Sequence, residues 1–365
     1  MPKVVVAIDS FKNCLTSKEA NQAAADGIRS VWPDAEVVQV PVSDGGEGFI
    51  EAFRAAIGGE LQAVYVKDPV MRPITARYLL KRKMAVIEMA EASGLMLLSA
   101  EERNPMVATS YGTGQLVADA IRKGAEHIIV GLGGSATSDA GIGMLKALMD
   151  CLPSVPLKCG EVRCWDNTMI PATVRFTIAT DVNNPLCGLC GAAHVFSPQK
   201  GATPDMVSQL DKRARKFAEL SARHFGYDRQ NMPGAGAAGG LGYAFLQYLN
   251  AECTSGIQLL LDTIQFKEIV KNADFVITGE GAADRQTLMG KLPMGILQQS
   301  GDTPVCLIAG RIGDSEELLK AGFALIECIN PEGISLATAL RKDVAMEHIR
   351  RTAKSITARM TSIHK

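Results

Sequence analysis

Lys3-Val4-Val5-Val6-Ala7-Ile8-Asp9-Ser10-Phe11-Lys12 is an apolar, mostly β-branched run that breaks into a polar turn. Such a run suits a strand buried on both faces of a parallel sheet. Ser17 follows as a candidate helix cap, with Glu19 in the first turn and Ala20, Ala24 and Ile28 on one face. Residues 37–42 form a second apolar run, and a short helix ends near Ile57 at Gly58-Gly59. The same alternation returns at the far end of the chain. Strands are predicted over 274–278, 304–309 and 323–329, and helices over 291–299, 315–320 and from Asp343 to about Thr361. Two strands in front and three behind predict an α/β fold, a five-stranded doubly wound parallel sheet of the flavodoxin type.

Residues 65–270 are then a large insertion, giving one domain from 1–64 plus 271–365 and a second, mixed α/β domain between them. The insertion opens with Tyr65 to Pro73, where Pro69 and Pro73 predict an irregular crossing. Strands are predicted over 74–80, 84–88, 127–130, 174–180 and 193–196, and helices over 115–122, 141–150, 204–224 and 241–249. An insertion between consecutive sheet units predicts a cleft between domains as the ligand site.

A length of 365 residues fits two domains, and 47% hydrophobic with 21% charged residues is ordinary for a globular protein. Lys and Arg number 38 against 39 Asp and Glu, so there is no basic surplus for nucleic acid. Two Trp, 6 Tyr and 11 Phe are too few for base-stacking platforms. No apolar stretch approaches the ~18 residues of a membrane span, and the first residues lack the apolar segment of a secretory signal. Nine scattered cysteines suggest reduced thiols and a cytoplasmic location. Cys187 and Cys190 with His194 resemble a zinc half-site, but the partners would be Cys159 and Cys164 at the wrong spacing, so small buried thiols are expected.

Glycine is the outlier, 35 residues, and it clusters in loops that also hold polar groups. After the first strand, Lys12 can reach an anion, or Asp9 simply forms the turn. Asp44 and Glu47, among Gly45, Gly46 and Gly48, suit a magnesium or hydroxyl contact at a helix start, although Asp44 could be an ordinary cap. In Gly131-Leu-Gly133-Gly134-Ser135-Ala-Thr137-Ser-Asp139-Ala-Gly141, small residues let several amides face one anion, and Ser135 and Thr137 add hydroxyls. No Gly-Lys-Ser/Thr closes it, so it is not a Walker loop. Asp181, at a predicted strand end before Asn183-Asn184-Pro185, is placed for a base or metal ligand, or for an Asx turn. Thr278-Gly279-Glu280-Gly281 runs through Asp284 to Gly290-Lys291. A lysine at a helix start costs about 0.3–1 kcal/mol unless an anion shares the place, which predicts a phosphate or carboxylate guest. Gly234-Ala-Gly236-Ala-Ala-Gly239 spells the dinucleotide fingerprint, but the residues before it do not form a strand pattern, so only a backbone-lined turn near a ligand is expected. The five histidines have no catalytic company.

Acidic groups, lysines and amide-rich loops together fit magnesium-assisted phosphoryl transfer to a small anionic acceptor. Six of these loops, in order along essentially the whole chain, resemble the type-I glycerate kinases of bacteria: those at 9–12, 43–48, 131–137, 180–186, 236–242 and 279–291. The resemblance implies ATP-dependent phosphorylation of D-glycerate to 2-phosphoglycerate, with Mg2+ as cofactor. It also implies a flavodoxin-like domain interrupted by a restriction-endonuclease-like one. Lys12, Lys291 and Asp181 are then the expected catalytic groups, with Asp44 an alternative to Asp181 as base. Asp9, Ser10, Asp44, Glu47 and Asn184 are expected at the substrate. Gly133, Gly134, Ser135, Thr137, Gly239 and Gly240 are expected at phosphate, and Glu280 and Asp284 at the metal. Asn13-Cys14, Ser138, Ala140 and Cys190 depart from the family's usual residues. A non-catalytic nucleotide- or hydroxy-acid-binding protein and an NAD-dependent oxidoreductase are the alternatives. Small molecules are the expected partners, without nucleic acid or membrane, in a monomer or homodimer.

Overall fold

Eleven strands occur among the described residues: β1 (Lys3–Ile8), β2 (Glu36–Gln39), β3 (Glu60–Lys67), β4 (Pro73–Lys81), β5 (Met84–Glu88), β6 (His127–Gly131), β7 (Arg175–Ala179), β8 (Glu252–Thr254), β9 (Phe275–Ala283), β10 (Val305–Ile312) and β11 (Leu325–Cys328). The computed structural model describes residues 1–11, 14–43, 46, 48–152, 165 and 170–363. Lys12, Asn13, Asp44, Gly45, Glu47, Cys159 and Cys164 lie outside them. The chain divides into two compact units, one of residues 1–44, 51–57 and 257–365, the other of 45–50 and 58–256.

In the first unit all five strands are parallel, in the order β2-β1-β9-β10-β11. Val4 through Ile8 are fully buried because β1 is an inner strand with helices over the sheet. The helices Ser17–Arg29 and Lys342–Ile363 share one core with it, through Ala20, Ala24 and Ile28 on the first and Ile349, Ala353 and Ile356 on the second. Gly27 permits their close approach, since a Cβ there would lie 2.2 Å from the Arg350 carbonyl oxygen. Thr16, not Ser17, caps the first helix, in a reciprocal pair with Glu19. Ser17 instead donates to the Ile8 carbonyl at 2.6 Å and accepts from the Val42 amide at 3.0 Å. Buried Asn21 completes that tie, accepting from Ile8 N–H and donating to the Val40 carbonyl, both at 2.9 Å. These bonds pin the carboxyl ends of β1 and of the segment after β2, the edge where ligands of such sheets bind.

The second unit holds a six-stranded sheet ordered β3 to β8 in sequence. β3, β4 and β5 pair antiparallel, and β5 through β8 pair parallel. Three expectations need correction here. The prolines at 69 and 73 flank a hairpin turn rather than an irregular crossing: Asp68 N–H donates to the Arg72 carbonyl at 2.8 Å, and Met71 has φ 68°. β3 pairs with β4 from Glu60 to Lys67, which moves the expected boundary from 64/65 to 57/58. The later boundary moves to 256/257, where Ile257 and Leu261 pack on Gly295. Residues 193–196, expected as a strand, lie in the helix Ala192–Phe196, because a four-residue apolar run has no period to read. Among the described residues no helix is long and apolar enough to cross a membrane.

Candidate functional site

At the carboxyl edge of the five-stranded sheet, β9 and β10 run on together past their neighbours, pairing Ala282 with Arg311 and Ala283 with Ile312. Residues 278–283, expected as a loop, are therefore mostly strand. Gly279 makes this possible, since a Cβ there would press on the Ile308 carbonyl at 2.5 Å. Glu280 is held in that extension and is only 8% exposed. Its Oε1 accepts from Thr287 Oγ1 at 2.6 Å, and its Oε2 lies 3.9 Å from Lys291 Nζ. Thr287 Oγ1 also accepts from the Asp284 amide at 3.0 Å, so one hydroxyl joins Glu280 to the Asp284 turn. Asp284 Oδ1 takes the Gln286 amide at 2.8 Å.

Lys291 occupies the N-cap position of the helix Leu292–Gln299, as the Gly290 and Pro293 punctuation predicts. Glu280 is the anion beside it in the structure, so the unfavourable meeting of cation and helix dipole is already partly offset within the chain. Asp9 closes β1 with its amide on the Gly279 carbonyl at 2.9 Å and its Oδ1 on the Ser10 amide at 2.7 Å. Asp9, Ser10, Glu280 and Lys291 line one cavity of about 550 Å³. Arg311 and Asn330 line it as well, and neither stood out in the sequence. Asn330 donates to the Gly310 carbonyl at 2.8 Å and accepts the His348 ring at 3.0 Å. Among the described residues the Arg311 guanidinium has no ion pair or hydrogen bond. The signal for it was Gly310-Arg311 directly after the buried apolar run 305–309, on the same strand. Phe11, Ile329, Leu336 and Leu340 make the apolar wall.

In the second unit the loops after β6 and β7 share one edge, because these strands are parallel neighbours. Loop 131–141 is pinned by Leu132 N–H on the Ala179 carbonyl at 3.1 Å, Ala136 N–H on Ser93 at 2.9 Å, and Leu95 N–H on Gly134 at 2.8 Å. The amides of Gly133, Gly134, Ser135 and Thr137 have no acceptor among the described residues. Asp139 faces inward and takes Ser110 N–H and Oγ at 2.8 and 2.9 Å and the Gly143 amide at 3.1 Å. It organises the loop instead of facing a ligand. Gly239 and Gly240 are brought against this loop: Ala238, Gly239 and Gly240 all take positive φ, breaking the helix Ala237–Leu249 near its start. A Cβ on Gly239 would lie 1.9 Å from the Thr137 carbonyl oxygen. The dinucleotide-like stretch is thus a left-handed turn packed on the loop. Asn184 accepts the Gly236 amide on its carbonyl at 2.8 Å and donates its side-chain amide to the Cys190 carbonyl at 2.8 Å. Asp181 lies near enough to Cys253 for its charge, after burial, to raise that thiol. Lys200, unnoticed in the sequence, is 2% exposed and donates to Ser135 Oγ at 2.7 Å and to the Thr137 carbonyl at 2.6 Å. Burial lowers its ammonium to about 7, against a smaller opposing effect of Asp139.

Among the described residues no three His, Cys, Asp or Glu side chains are gathered to hold a metal ion. Cys187 is half-buried, its thiol pushed up to about 11 chiefly by burial, but Cys190 is exposed, contrary to the expected buried pair.

The model of the glycerate kinase family matches residues 4–361. The chain belongs to the glycerate kinase family. A glycerate kinase of Bacillus subtilis is 40% identical over 98% of this chain and 97% of its own length. One from Haemophilus influenzae is 43% identical over 87% of this chain and 88% of its own, and the glycerate 2-kinase of Escherichia coli is 40% identical over 86% of each. A crystal structure from Salmonella typhimurium LT2, described as a candidate glycerate kinase 2, superposes with a TM-score of 0.80 at 35% identity, covering 100% of both chains. Membership makes this chain a kinase, and the mixed α/β architecture is that of the solved relative.

Proposed function

We propose that this chain transfers the γ-phosphoryl group of ATP to the 2-hydroxyl of D-glycerate, forming 2-phosphoglycerate and ADP. The supporting observation is the gathering of Asp9, Glu280, Lys291 and Arg311 around a cavity of about 550 Å³, a size suited to small, highly charged molecules. The family assignment supports the same reaction. In the transfer, the hydroxyl oxygen of glycerate bonds to the γ-phosphorus while the bridging oxygen leaves with ADP, and the hydroxyl proton passes to a carboxylate. Asp181 is our choice for that base, with Asp44 the alternative. Lys291 and Lys12 would neutralise the charge spread over the phosphoryl oxygens. Asp9, Ser10, Asp44, Glu47 and Asn184 would orient glycerate. Gly133, Gly134, Ser135, Thr137, Gly239 and Gly240 would present backbone and hydroxyl donors to the nucleotide phosphates. We add Arg311 to the cationic groups.

Glu280, tied through the Thr287 hydroxyl to the Asp284 turn, and Asp284 itself would hold a magnesium ion that takes one or two protein oxygens and fills its other positions with phosphate and water. When bound, such an ion supplies Lewis-acid polarisation of the phosphoryl oxygens. The strand order β2-β1-β9-β10-β11 supports a flavodoxin-like first unit. We extend the resemblance to a restriction-endonuclease-like second unit.

A coupled ADP-release assay with D-glycerate, L-glycerate, lactate and glycolate tests the substrate, and phosphorus NMR of the product tests the position. Stimulation by D-glycerate with a 2-phosphate product is expected. Turnover of the other acids without D-glycerate, or a 3-phosphate product, would overturn the assignment.

A further inference from the structure

In loop 131–141 the amides of Gly133, Gly134, Ser135 and Thr137 have no acceptor among the described residues, and something must hold so glycine-rich a loop in place. The segment 197–201 does so at three points. Ser197 Oγ meets Ser138 Oγ at 2.9 Å, and Lys200 Nζ reaches both Ser135 Oγ at 2.7 Å and the Thr137 carbonyl at 2.6 Å. Lys200 closes the short 3-10 turn Pro198–Lys200, and Gly201 after it takes φ 92°, where a Cβ would strike the Arg103 carbonyl at 2.5 Å. The turn packs on the Arg103 backbone at Gly201, and its lysine is buried against loop 131–141. A lysine placed in the interior is costly unless its hydrogen bonds are specific, and here they are two short ones to neutral oxygens of a single loop. From the other side Gly239 lies against the same Thr137 carbonyl.

We propose that Lys200 is a positioning residue: it clamps Ser135 and Thr137 so that the amides of Gly133, Gly134 and Ser135 converge on one phosphate group of the nucleotide. This rests on the assignment of the loop to nucleotide phosphate made above. The lysine itself stays beneath the loop and touches the loop, while the loop touches the anion.

Lys200→Met keeps the length and removes the donors. Hydrogen exchange of residues 131–141 without ligand reads the clamp, and steady-state kinetics read its purpose. Expected are faster exchange across 133–137 and a KM for ATP raised about 10-fold or more, with the KM for D-glycerate changed by less than about 2-fold. Unchanged exchange in Lys200→Met overturns the clamp. Faster exchange with an unchanged KM for ATP leaves the clamp standing and overturns the nucleotide assignment of the loop. If Lys200→Met does not fold, Ser135→Ala, which removes one of the two acceptors, is expected to raise exchange at 133–137 and the KM for ATP by smaller factors. Wild-type exchange in that variant overturns the proposal. In a double-mutant cycle read by hydrogen exchange of residues 133–137, the two changes should be no worse together than Lys200→Met alone, whereas purely additive effects on exchange would separate Ser135 from Lys200 and defeat it.

Discussion

Along the edge of the five-stranded sheet, charge stands on side chains: Glu280 and Arg311 are carried by the paired extension of β9 and β10, and Lys291 by a helix N-cap. Around loop 131–141 the order is reversed. There the amides of Gly133, Gly134, Ser135 and Thr137 have no acceptor among the described residues, the carboxylate of Asp139 and the ammonium of Lys200 are spent on the protein itself, and left-handed residues fix the path. A side-chain site can lose a charged group and keep its frame. A backbone site is its frame, so damage to it should appear in stability as well as in turnover.

Gly239→Ala should break that contrast most sharply. The new Cβ meets the Thr137 carbonyl at 1.9 Å on a residue with φ +65°, so urea denaturation should show a loss of about 3 kcal/mol or more. Lys291→Ala should act in the opposite sense. Its ion pair with Glu280 is long and partly exposed, so stability should change by less than about 1 kcal/mol, while kcat/KM falls about 100-fold or more. Thr287→Val lies between them: Glu280 and the Asp284 turn lose their shared hydroxyl, and denaturation should register about 1–3 kcal/mol.

Lys200 gives the comparison a pH axis. Its folded-state value, about 7, lies below the ordinary 10.5, so between those limits the unfolded chain binds the extra proton. Its contribution to stability therefore grows as pH rises through that window and is lost as pH falls toward 7. The gain should be roughly 1 kcal/mol per pH unit in wild type relative to Lys200→Met, measured by denaturation at each pH. The smallest effect is expected at Cys190, exposed in the structure, where Ala should alter stability by less than about 0.5 kcal/mol and leave bound metal unchanged by elemental analysis.

The same contrast explains what could be read from the amino-acid sequence. The five-stranded sheet was legible because Val4 to Ile8 and Val305 to Ala309 are buried on both faces and so must be continuously apolar. Lys291 was legible because Gly290 and Pro293 punctuate a helix start. Lys200 was not: Ser-Pro-Gln-Lys-Gly has the composition of a solvated turn, and only tertiary packing buries it. Glu280 stands out in the sequence as a candidate, but its strand does not, because Gly279 and Gly281 suggest a loop until Ile308 is known to lie alongside. Ala238 gives no hint in composition of its left-handed backbone; two left-handed glycines follow it, and its carbonyl accepts from the Thr137 hydroxyl at 3.4 Å.

The pairing of β1 with β9 has a consequence in time. A ribosome delivers Val4 first and Phe275, its partner, only after every residue of the second unit has been made, roughly tens of seconds later at ~5–20 residues per second. Until then the most apolar strand of the nascent chain has one inner flank open. The rim that gathers Asp9, Glu280 and Lys291 is accordingly among the last features to be completed during synthesis, and a chain halted before Phe275 would leave the ribosome without it.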